Sequence, residues 1–398
     1  MSLRDQFPLL AAEPALHYLD SGASSQMPAF VIDAVTRFET TQRANVHRGV
    51  HRLAEAATAA YEGSRDEIAH FFGARREEIV FTSGTTAAIN LVAHSFGNGL
   101  AAGDEIVVSE LEHHSNIVPW QMLRERRGLA LKVLPVTDDG RIDLSALDRV
   151  LTTKTRLIAL AHCSNVTGAV VDLERVVEAA KSAGAAVLID GAQRVPHGPL
   201  DIPALGVDFY AFSGHKMYAP HGIGVLWGRH ERLEAMPPFL GGGDMIRSVT
   251  FEKTTYAPPP TRFEAGTPNI SGAIGLGAAC RWMGGLDWPK IAQEEMRLTG
   301  RLLDGLAKVP DLRVLGPLGL QQRIGVVSFA LAHAHPHDVA QILDRHGVAC
   351  RGGHHCAEPL MERFGLGGTT RATIAPYSVD SDVDALLDGL DEARRLFA

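Results

Sequence analysis

Cysteines, long apolar runs and a leader-like start are scarce or missing in this 398-residue sequence. The only cysteines are Cys163, Cys280, Cys350 and Cys356, too few and too irregularly spaced for a disulfide framework. No apolar run approaches the roughly 18 residues that a membrane-spanning helix needs. The start, MSLRDQFPLL, carries charge and proline where a signal peptide needs an unbroken apolar stretch. These absences predict a cytoplasmic protein.

Tracts of one charge, internal repeats and low-complexity segments are also missing. Acidic side chains outnumber basic ones, 46 to 38, which gives a formal net charge of -8. Because no Lys/Arg tract would follow a phosphate backbone, we expect neither nucleic acid nor a membrane as a partner. Hydrophobic residues make up 45% and charged residues 21% of the chain, which is typical of a globular protein with a large core.

Short apolar runs alternate with helical patterns from about residue 78 to 228. This alternation is typical of an α/β protein with a mostly parallel sheet whose strands are buried on both faces. The predicted strands are Glu78–Thr82, Glu105–Ser109, Leu131–Pro135, Leu157–His162, Ala186–Asp190, Phe209–Phe212 and Gly224–Trp227. The predicted helices are Ala29–Arg43, Thr85–Phe96, Ile117–Arg127, Leu144–Leu151 and Leu173–Ala183.

The pattern changes after Trp227. A Pro/Gly-rich stretch over residues 236–260 predicts a long irregular excursion across the surface. The later predicted elements are a helix from about Ser271, a strand at Ile324–Leu331 and helices at His337–His346 and Asp380–Phe397. We therefore predict a large domain at residues 21–275 and a smaller C-terminal α+β domain formed by residues 1–20 and 276–398.

Polar residues follow several predicted strands, where open α/β sheets usually bind ligands. Asp190 ends one apolar run, and Lys216 follows the next in the motif Ser213-Gly-His-Lys. A pyridoxal phosphate site needs such a pair, because the lysine amine forms a Schiff base and the acid keeps the ring nitrogen protonated. Taken singly, the aspartate could also be a helix cap, and a lone loop lysine is far more often a surface charge than a nucleophile.

Neighbouring residues could meet the other needs of that cofactor. Ser213 and His215 offer polar donors for a phosphate, and Ser83–Thr86 is a strand-to-helix turn whose amides would face an anion. Such a turn also occurs for helix capping alone. His113 offers a flat ring that could stack on the cofactor, although a loop histidine is often a surface residue.

Motifs spread over nearly the whole chain resemble those of one enzyme family. They are Tyr18-Leu-Asp-Ser-Gly-Ala-Ser, Val46-His-Arg-Gly-Val-His, Glu112-His-His-Ser-Asn-Ile-Val-Pro-Trp, Ser164-Asn165, Asp190-Gly-Ala-Gln, Ser213-Gly-His-Lys, Arg262-Phe-Glu-Ala-Gly-Thr-Pro-Asn and Gly353-His-His-Cys-Ala. In this order they resemble the SUF-type (group II) cysteine desulfurases, a family that includes selenocysteine lyases within the class V aminotransferase superfamily. The resemblance implies the fold type I of pyridoxal phosphate enzymes, with a seven-stranded sheet, and pyridoxal 5'-phosphate (PLP) as cofactor.

The resemblance also implies roles for individual residues. Lys216 would be the catalytic lysine that carries the cofactor, and His113 would stack on its ring. The other implied cofactor contacts are Asp190, Gln193, Thr85, Thr86, Ser213, His215 and, from a neighbouring subunit, Thr267. The implied substrate contacts are Arg371, Asn165 and His47. Arginine suits a carboxylate because its planar fork matches that group, although Arg371 taken alone suggests a surface ion pair.

Cys356 decides which reaction the resemblance implies. It stands beside two histidines in Arg351-Gly-Gly-His-His-Cys, which could lower its pKa and increase its thiolate fraction. A buried small hydrophobe and a metal ligand are the alternatives. The sequence shows no second ligand cluster, so we expect no metal. Cys163, Cys280 and Cys350 are more typical of packing.

These assignments imply a cysteine desulfurase that acts as a homodimer. L-cysteine would give L-alanine, and the sulfur would remain on Cys356 as a persulfide. Because the cysteine loop is short, a SUF-type acceptor protein for iron-sulfur cluster assembly is the expected partner. Gly22, Cys163 and Gly352 depart from the family pattern, which leaves L-selenocysteine and cysteine sulfinate open as substrates. Another class V lyase or aminotransferase, and a non-catalytic scaffold, are the competing hypotheses.

Overall fold

The computed structural model describes residues 3–397, so residues 1, 2 and 398 of the predicted small domain lie outside the described residues. The α-helices are α1 (Pro8–Ala12), α2 (Ala29–Thr41), α3 (Arg52–Phe71), α4 (Thr85–Ser95), α5 (Val118–Arg127), α6 (Leu147–Val150), α7 (Leu173–Ala183), α8 (His230–Ala235), α9 (Ile270–Gly284), α10 (Trp288–Leu306), α11 (Pro336–Arg345), α12 (Glu358–Arg363) and α13 (Asp380–Phe397). The strands are β1 (His17–Tyr18), β2 (Ile79–Thr82), β3 (Glu105–Ser109), β4 (Ala130–Leu134), β5 (Thr155–Ala161), β6 (Ala186–Asp190), β7 (Phe209–Ser213), β8 (Gly224–Gly228), β9 (Ile246–Val249), β10 (Thr254–Tyr256), β11 (Leu312–Leu315), β12 (Val326–Leu331), β13 (Val348–Ala349), β14 (Arg351–Gly353) and β15 (Thr369–Thr373). Within this described part, no helix combines the length and the apolar character needed to cross a membrane.

Seven strands form the central sheet in the order β2-β8-β7-β6-β5-β3-β4. Neighbouring strands run parallel from β4 to β7, whereas β8 runs antiparallel to both β7 and β2. The predicted α/β fold with a mostly parallel seven-stranded sheet is therefore confirmed. Every residue of β3, β6, β7 and β8 is buried, which is why their sequences are nearly unbroken apolar runs.

Helices cover both faces of this sheet. Ile158 and Leu160 of β5 belong to the same core as helix α7, whereas Leu157 and Ala159 belong to the core shared with α4 and α5. This division follows from the strand geometry, because successive side chains point to opposite faces. With both faces covered, ligands reach the sheet at the edge where the parallel strands end.

A four-stranded antiparallel sheet, in the order β11-β12-β15-β14, forms a second unit with α10, α11 and α13. Its core contains Val327, Phe329 and Leu386. Strand β1 pairs with β13, so the start of the chain joins this C-terminal part. The predicted domain boundary at residue 275 lies inside α9, which packs against α2 and α3. The exact division into domains therefore stays a prediction.

Two predicted segments differ from the structure. The excursion after Trp227 contains the antiparallel hairpin β9–β10, closed by Thr250, whose hydroxyl accepts two backbone N–H groups. Its strands are mostly exposed, so they lack the apolar pattern that marks a buried strand. The predicted helix Leu144–Leu151 begins instead as a 3₁₀ turn, which the Asp143 carboxylate caps, and only α6 is α-helical.

A buried ion pair joins the segment that follows the excursion to helix α3. Arg65 of α3 donates from Nη1 and Nη2 to the Glu264 carboxylate at 2.7 and 2.9 Å. The same carboxylate accepts the N–H of Phe81 at 2.7 Å and the hydroxyl of Tyr61 at 3.1 Å. Because both oxygens have partners, the cost of removing the charges from water is offset. The segment that leads to Thr267 is thereby held against β2.

Candidate active site

A cleft of about 450 Å³ opens where the central strands end. Its lining residues are Thr85, Thr86, His113, Ser115, Ala161, Cys163, Asn165, Asp190, Ala192, Gln193, Ser213 and Lys216. All predicted cofactor contacts except His215 and Thr267 are among these lining residues. The predicted substrate contact Asn165 also lines the cleft. They come from segments far apart in sequence, which the sheet brings together because its parallel strands end at one edge.

Asp190 ends strand β6, Lys216 follows the neighbouring strand β7, and the two form the charged centre of the cleft. Burial lowers the pKa of Lys216 to about 8, against the opposing attraction of Asp190. Burial raises the pKa of Asp190, while the N–H of Ala192, which donates to its Oδ1 at 2.9 Å, and the charge of Lys216 lower it. The pair therefore combines an amine that loses its proton easily with a carboxylate shielded from water.

His113 presents an uncharged imidazole ring at the cleft. Its Nδ1 accepts the backbone N–H of Ser115 at 3.1 Å and lies 2.8 Å from the Ser115 hydroxyl. Nδ1 is thus an acceptor, and the proton of the neutral ring belongs on Nε2. Burial, together with the charge of Lys216, lowers the pKa of His113 to about 3. The ring can stack on a flat ligand without adding positive charge.

Glu112 supports the turn that carries His113, a role that the sequence analysis did not assign. Its carboxyl oxygens accept from the Ser109 hydroxyl at 2.5 Å and from Nδ2 of Asn116 at 2.7 Å. Nε1 of Trp120 donates to Oδ1 of the same asparagine at 3.0 Å. Burial raises the pKa of Glu112 to about 8. Its place beside His113 in the sequence was the only available signal.

The start of α4 offers an anion site at one end of the cleft. The Thr85 N–H donates to Oγ of Ser213 at 2.8 Å, and the two hydroxyls lie 2.7 Å apart. Gly84 has φ of 148°, which glycine adopts more readily than other residues, and its lack of a side chain lets Ser213 approach closely. The helix N-terminus then directs its free amides toward an anion. Thr86, the next residue, also lines the cleft.

His215 lies beside this end of the cleft rather than among its lining residues. Its Nδ1 is buried and has no hydrogen-bond partner in the described part of the chain, and its ring stacks on His221 with centroids 5.3 Å apart. Burial lowers its pKa to about 4. A buried nitrogen without a partner is costly, which indicates that a ligand supplies the missing hydrogen bond.

Arg371 of β15 reaches the cleft from the small sheet. It is 3% exposed, and its Nη1 donates to the Asn165 carbonyl at 2.9 Å. Its Nε is buried and unpartnered within residues 3–397, so one donor is free for an anion. Burial lowers its pKa to about 10, opposed by the attraction of Asp20. The arginine is therefore a buried cation rather than a member of a surface ion pair.

Cys356 lies on a tight turn between β14 and α12, and it is exposed. His355 and Cys356 both have left-handed backbone angles, with φ of 54° and 55°. The large domain holds this turn through two carbonyl groups of the turn. The His114 N–H donates to the Cys356 carbonyl at 2.7 Å, and Nδ2 of Asn165 donates to the His355 carbonyl at 2.7 Å. Because Asn165 itself lines the cleft, the turn that carries Cys356 lies at the cleft.

The surroundings of the cysteines separate Cys356 from the rest. Burial raises the pKa of Cys163 and of Cys350 to about 12, and it also raises the pKa of Cys280. These thiols are packing residues, as predicted, although Cys163 also borders the cleft. The predicted activation of Cys356 by its neighbouring histidines stays a prediction, and His355 is a buried ring. Its Nε2 bonds to Thr369 at 2.9 Å, and burial lowers its pKa to about 3.

Two predicted contacts lie away from the cleft of the same chain. His47 bonds through Nε2 to Glu62 at 3.0 Å, and its ring packs edge-on against Tyr61. Thr267 is exposed between Gly266 and Pro268, two residues that line a separate cavity of about 760 Å³. Neither residue contacts the cleft within one chain. No group of three or more metal-ligating side chains occurs in the described residues.

The residues of the cleft fit pyridoxal phosphate. Lys216 supplies an amine of lowered pKa for covalent attachment, and Asp190 supplies a buried carboxylate for a ring nitrogen. His113 supplies a flat neutral surface. The unpartnered Nδ1 of His215 and the amides at the start of α4 supply sites for the phosphate. Gln193 borders the cleft, while its Nε2 donates to the Gly22 carbonyl at 2.8 Å.

Comparison with known proteins agrees with this site. The family model "Aminotransferase class-V" matches residues 17–386. A cysteine desulfurase of Dickeya dadantii is 49% identical over 400 residues, covering 99% of this chain and 96% of that protein. The structure of the cysteine desulfurase CsdA (S-sulfonic acid) from Escherichia coli superposes with a TM-score of 0.92 at 42% identity, covering 99% of this chain and 98% of that one.

A C-DES variant with glycine covalently linked to its PLP cofactor superposes with a TM-score of 0.85 at 25% identity, covering 98% of this chain and 99% of that one. The chain therefore belongs to the class-V aminotransferase family, whose fold and site define a pyridoxal phosphate-dependent enzyme. Within that family it groups with the cysteine desulfurases, which it matches along essentially its full length.

Proposed function

We propose that this enzyme takes sulfur from free L-cysteine, releases L-alanine and keeps the sulfur as a persulfide on Cys356. The observation that carries the proposal is the position of Cys356, an exposed thiol on the turn that Asn165 holds at the cleft, where Lys216 lines the wall and Arg371 bonds to Asn165. These side chains offer a sulfur nucleophile, a proton-transferring amine and a carboxylate anchor at one cleft. The same residues would serve L-selenocysteine, with selenium in place of sulfur.

Arg371 and Asn165 bind the substrate carboxylate in this proposal. The unpartnered Nε of Arg371 leaves part of its planar fork available for two parallel hydrogen bonds to a carboxylate. The backbone carbonyl of Asn165 accepts from Arg371, and its side chain donates to His355 beside the catalytic thiol. The carboxylate anchor and the cysteine turn are therefore both bonded to Asn165, which supports a substrate whose sulfur faces Cys356.

Lys216 moves the α proton of the substrate. Its pKa of about 8 leaves a neutral fraction of amine near neutral pH that can accept a proton. Pyridoxal phosphate, when bound, supplies the electron sink that makes this proton acidic. The buried Asp190 would hold a proton on the ring nitrogen of that cofactor, and the neutral His113 would offer its ring a flat surface without adding positive charge.

Sulfur transfer is a displacement at the sulfur atom of the substrate. The Cys356 thiolate attacks that sulfur, so that an S–S bond forms and the Cβ–S bond breaks. The electron pair of the broken bond stays on the three-carbon fragment, which takes up a proton and leaves as alanine. L-cysteine and the enzyme thiol thus become L-alanine and the enzyme persulfide, and no external oxidant is needed.

We propose that the persulfide passes to a SUF-type sulfur-acceptor protein that serves iron-sulfur cluster assembly. The support is the short turn that carries Cys356 between β14 and α12, because it obliges the acceptor to approach the cleft. We also place the enzyme in the cytoplasm. Cys356 must return to a free thiol after each turnover, and a reducing compartment keeps thiols in that state.

We further propose that the active form is a homodimer. The hairpin β9–β10 and its neighbouring loops expose several large apolar side chains. These are Val50, Leu240, Val249, Phe251 and Tyr256. The loops are joined by an ion pair between Arg48 and Asp244 at 2.6 Å and by a hydrogen bond from Gly266 to Gly243 at 3.0 Å. An exposed apolar patch of this kind favours a twofold interface, and Thr267 lies beside it.

Sedimentation equilibrium checks the dimer. We expect twice the chain mass of 42.8 kDa for the wild type. The double variant Leu240→Asp/Phe251→Asp should sediment as a single chain, because two buried charges would oppose the interface. Met122→Asp, which alters an exposed apolar residue on α5, should remain dimeric. A wild type that sediments at the mass of one chain would contradict the proposal.

The function is tested by one turnover of the PLP-loaded enzyme with one equivalent of L-cysteine and no reductant. We expect alanine and protein-bound persulfide in equal amounts, with peptide mass spectrometry locating the extra sulfur on Cys356. Cys350 is the internal control and should stay unmodified, because burial raises its pKa to about 12. Alanine without a persulfide, or sulfur on another cysteine, would refute the assignment.

A further inference from the structure

His114 is a half-buried histidine whose imidazole has no role in the chemistry above. It stands between His113 and Ser115, which both line the cleft. Its Nε2 lies 3.0 Å from the backbone nitrogen of Glu358, the first residue of α12. Because a backbone N–H can only donate, Nε2 is the acceptor, and the proton of the ring belongs on Nδ1. The side chain thus joins a turn at the cleft to the helix that follows Cys356.

The hydrogen bonds of His114 hold the chain on both sides of the thiol. Its backbone N–H donates to the Cys356 carbonyl at 2.7 Å, and its imidazole accepts from Glu358 two residues later. The first N–H groups of a helix have no partner inside the helix, so an acceptor from elsewhere has to supply one. Ala357, at the N-cap of α12, has no polar side chain that could do so. His114 supplies the missing acceptor.

The backbone of the cysteine turn needs such support. His355 and Cys356 have φ of 54° and 55°, in the left-handed region that residues other than glycine adopt at a cost in free energy. They keep this conformation only where the surrounding contacts impose it. Those contacts are the bond from Nδ2 of Asn165 to the His355 carbonyl and the two bonds of His114. Without the imidazole bond, the turn would be free to relax and the thiol would lose its fixed direction.

We propose that His114 is a positioning residue for sulfur transfer: by accepting the Glu358 N–H, its imidazole fixes the direction of the Cys356 thiol at the cleft. The inference rests on the proposed function, because it takes Cys356 as the nucleophile. His114 does not touch the substrate and acts through the backbone of the cysteine turn. Because His113 and His114 are neighbours on one turn, that turn sets the thiol relative to the flat ring that would cover the cofactor.

The test measures kcat and KM of the PLP-loaded enzyme for alanine formation. In His114→Ala we expect kcat with L-cysteine to fall about tenfold, the scale for loss of one orienting hydrogen bond. KM should change less than about twofold, because the carboxylate contacts Arg371 and Asn165 are unchanged. Turnover of L-cysteine sulfinate, whose sulfur needs less help from a thiolate, should fall less than about twofold. His114→Gln should restore most of kcat, since its side-chain oxygen can accept the same N–H.

Two changes at Glu358 test the same hydrogen bond from the donor side. Glu358→Pro removes the N–H at a helix position that tolerates proline, and it should lower kcat by the same factor of about ten. Glu358→Ala is the matched control, because it removes the exposed side chain and keeps the N–H. It should match the wild type. Glu358→Pro combined with His114→Ala should lose no more activity than either change alone, since both remove one bond.

Hydrogen exchange gives a second readout that is independent of sulfur chemistry. The peptide that contains Glu358 should exchange faster in His114→Ala than in the wild type, and His114→Gln should restore its protection. If wild-type enzyme forms no persulfide from L-cysteine, the proposed function fails, and the exchange rates decide separately whether His114 holds the turn. A wild-type kcat in His114→Ala, an equal loss with the sulfinate, the same loss in Glu358→Ala, or unchanged exchange overturns the proposal.

Discussion

Replacing Cys356 with alanine should lower kcat for alanine formation from L-cysteine by about a thousandfold, the usual scale for loss of a catalytic nucleophile. The exposed thiol is removed, and the remaining cysteines are buried with raised pKa values or are half-buried. None of them can replace it. The cofactor should stay bound, because Lys216 and Asp190 are unchanged. The measurements are alanine and sulfide release and the visible absorbance of the holoenzyme.

Cys350→Ala is the matched control for this prediction, since it removes a thiol a few residues away on the same segment. It should retain wild-type turnover. L-cysteine sulfinate gives a further comparison, because its sulfur already leaves as an oxidised group and needs less help from a thiolate. The Cys356→Ala variant should keep more activity with the sulfinate than with L-cysteine. Equal loss with both substrates would show that the mutation damages more than the nucleophile.

Replacing Lys216 with alanine should lower turnover with every substrate by about ten thousandfold, because covalent attachment of the cofactor and α-proton transfer are lost together. Lys216→Arg should be as inactive, since a guanidinium stays protonated near neutral pH. Borohydride reduction followed by peptide mass spectrometry measures the attachment directly. The wild type should gain the cofactor mass on the peptide that contains Lys216, and both variants should not.

Lys181→Ala on the exposed face of α7 is the control for loss of a lysine, and it should match the wild type in rate and in labelling. A small primary amine added to Lys216→Ala should restore part of the rate, since the pocket then contains an amine again. Labelling of Lys216→Ala at another lysine would contradict the assignment. Turnover of Lys216→Ala at the wild-type rate would also contradict the assignment of Lys216.

Most of the large sheet could be predicted because its central strands are buried on both faces. Burial requires apolar side chains at every position, and such runs, as at Ala186–Asp190, stand out in the sequence. The hairpin β9–β10 could not be predicted in the same way. Its exposed strands do not have to be apolar, and its turn depends on the single hydroxyl of Thr250. The observed ends of several helices and strands differ from the predicted ends by a residue or two, because capping depends on local hydrogen bonds.

The residues of the site were predictable to different degrees. Asp190 ends a buried strand and Lys216 follows the next one, so the sheet had to bring them to one edge. The hydrogen bond from Glu358 to His114 joins segments far apart in the sequence, and no local pattern indicates it. The lowered pKa of His355 was also beyond prediction, because it follows from the burial of a ring that points into the protein toward Thr369. Adjacent positions in sequence do not fix where side chains point.

Two hydrogen bonds to the main chain of the cysteine turn determine whether the enzyme loop or the sulfur acceptor has to move during sulfur transfer. Cys356 and His355 are each held through a carbonyl by the large domain, so the backbone that carries the sulfur stays in place. Only rotation of the Cys356 side chain can then move the sulfur, over a reach of one bond. An enzyme with a long, mobile loop could move its persulfide outward to the sulfur acceptor. Here the sulfur acceptor has to approach the mouth of the cleft, so the acceptor makes the movement that a long loop would otherwise make.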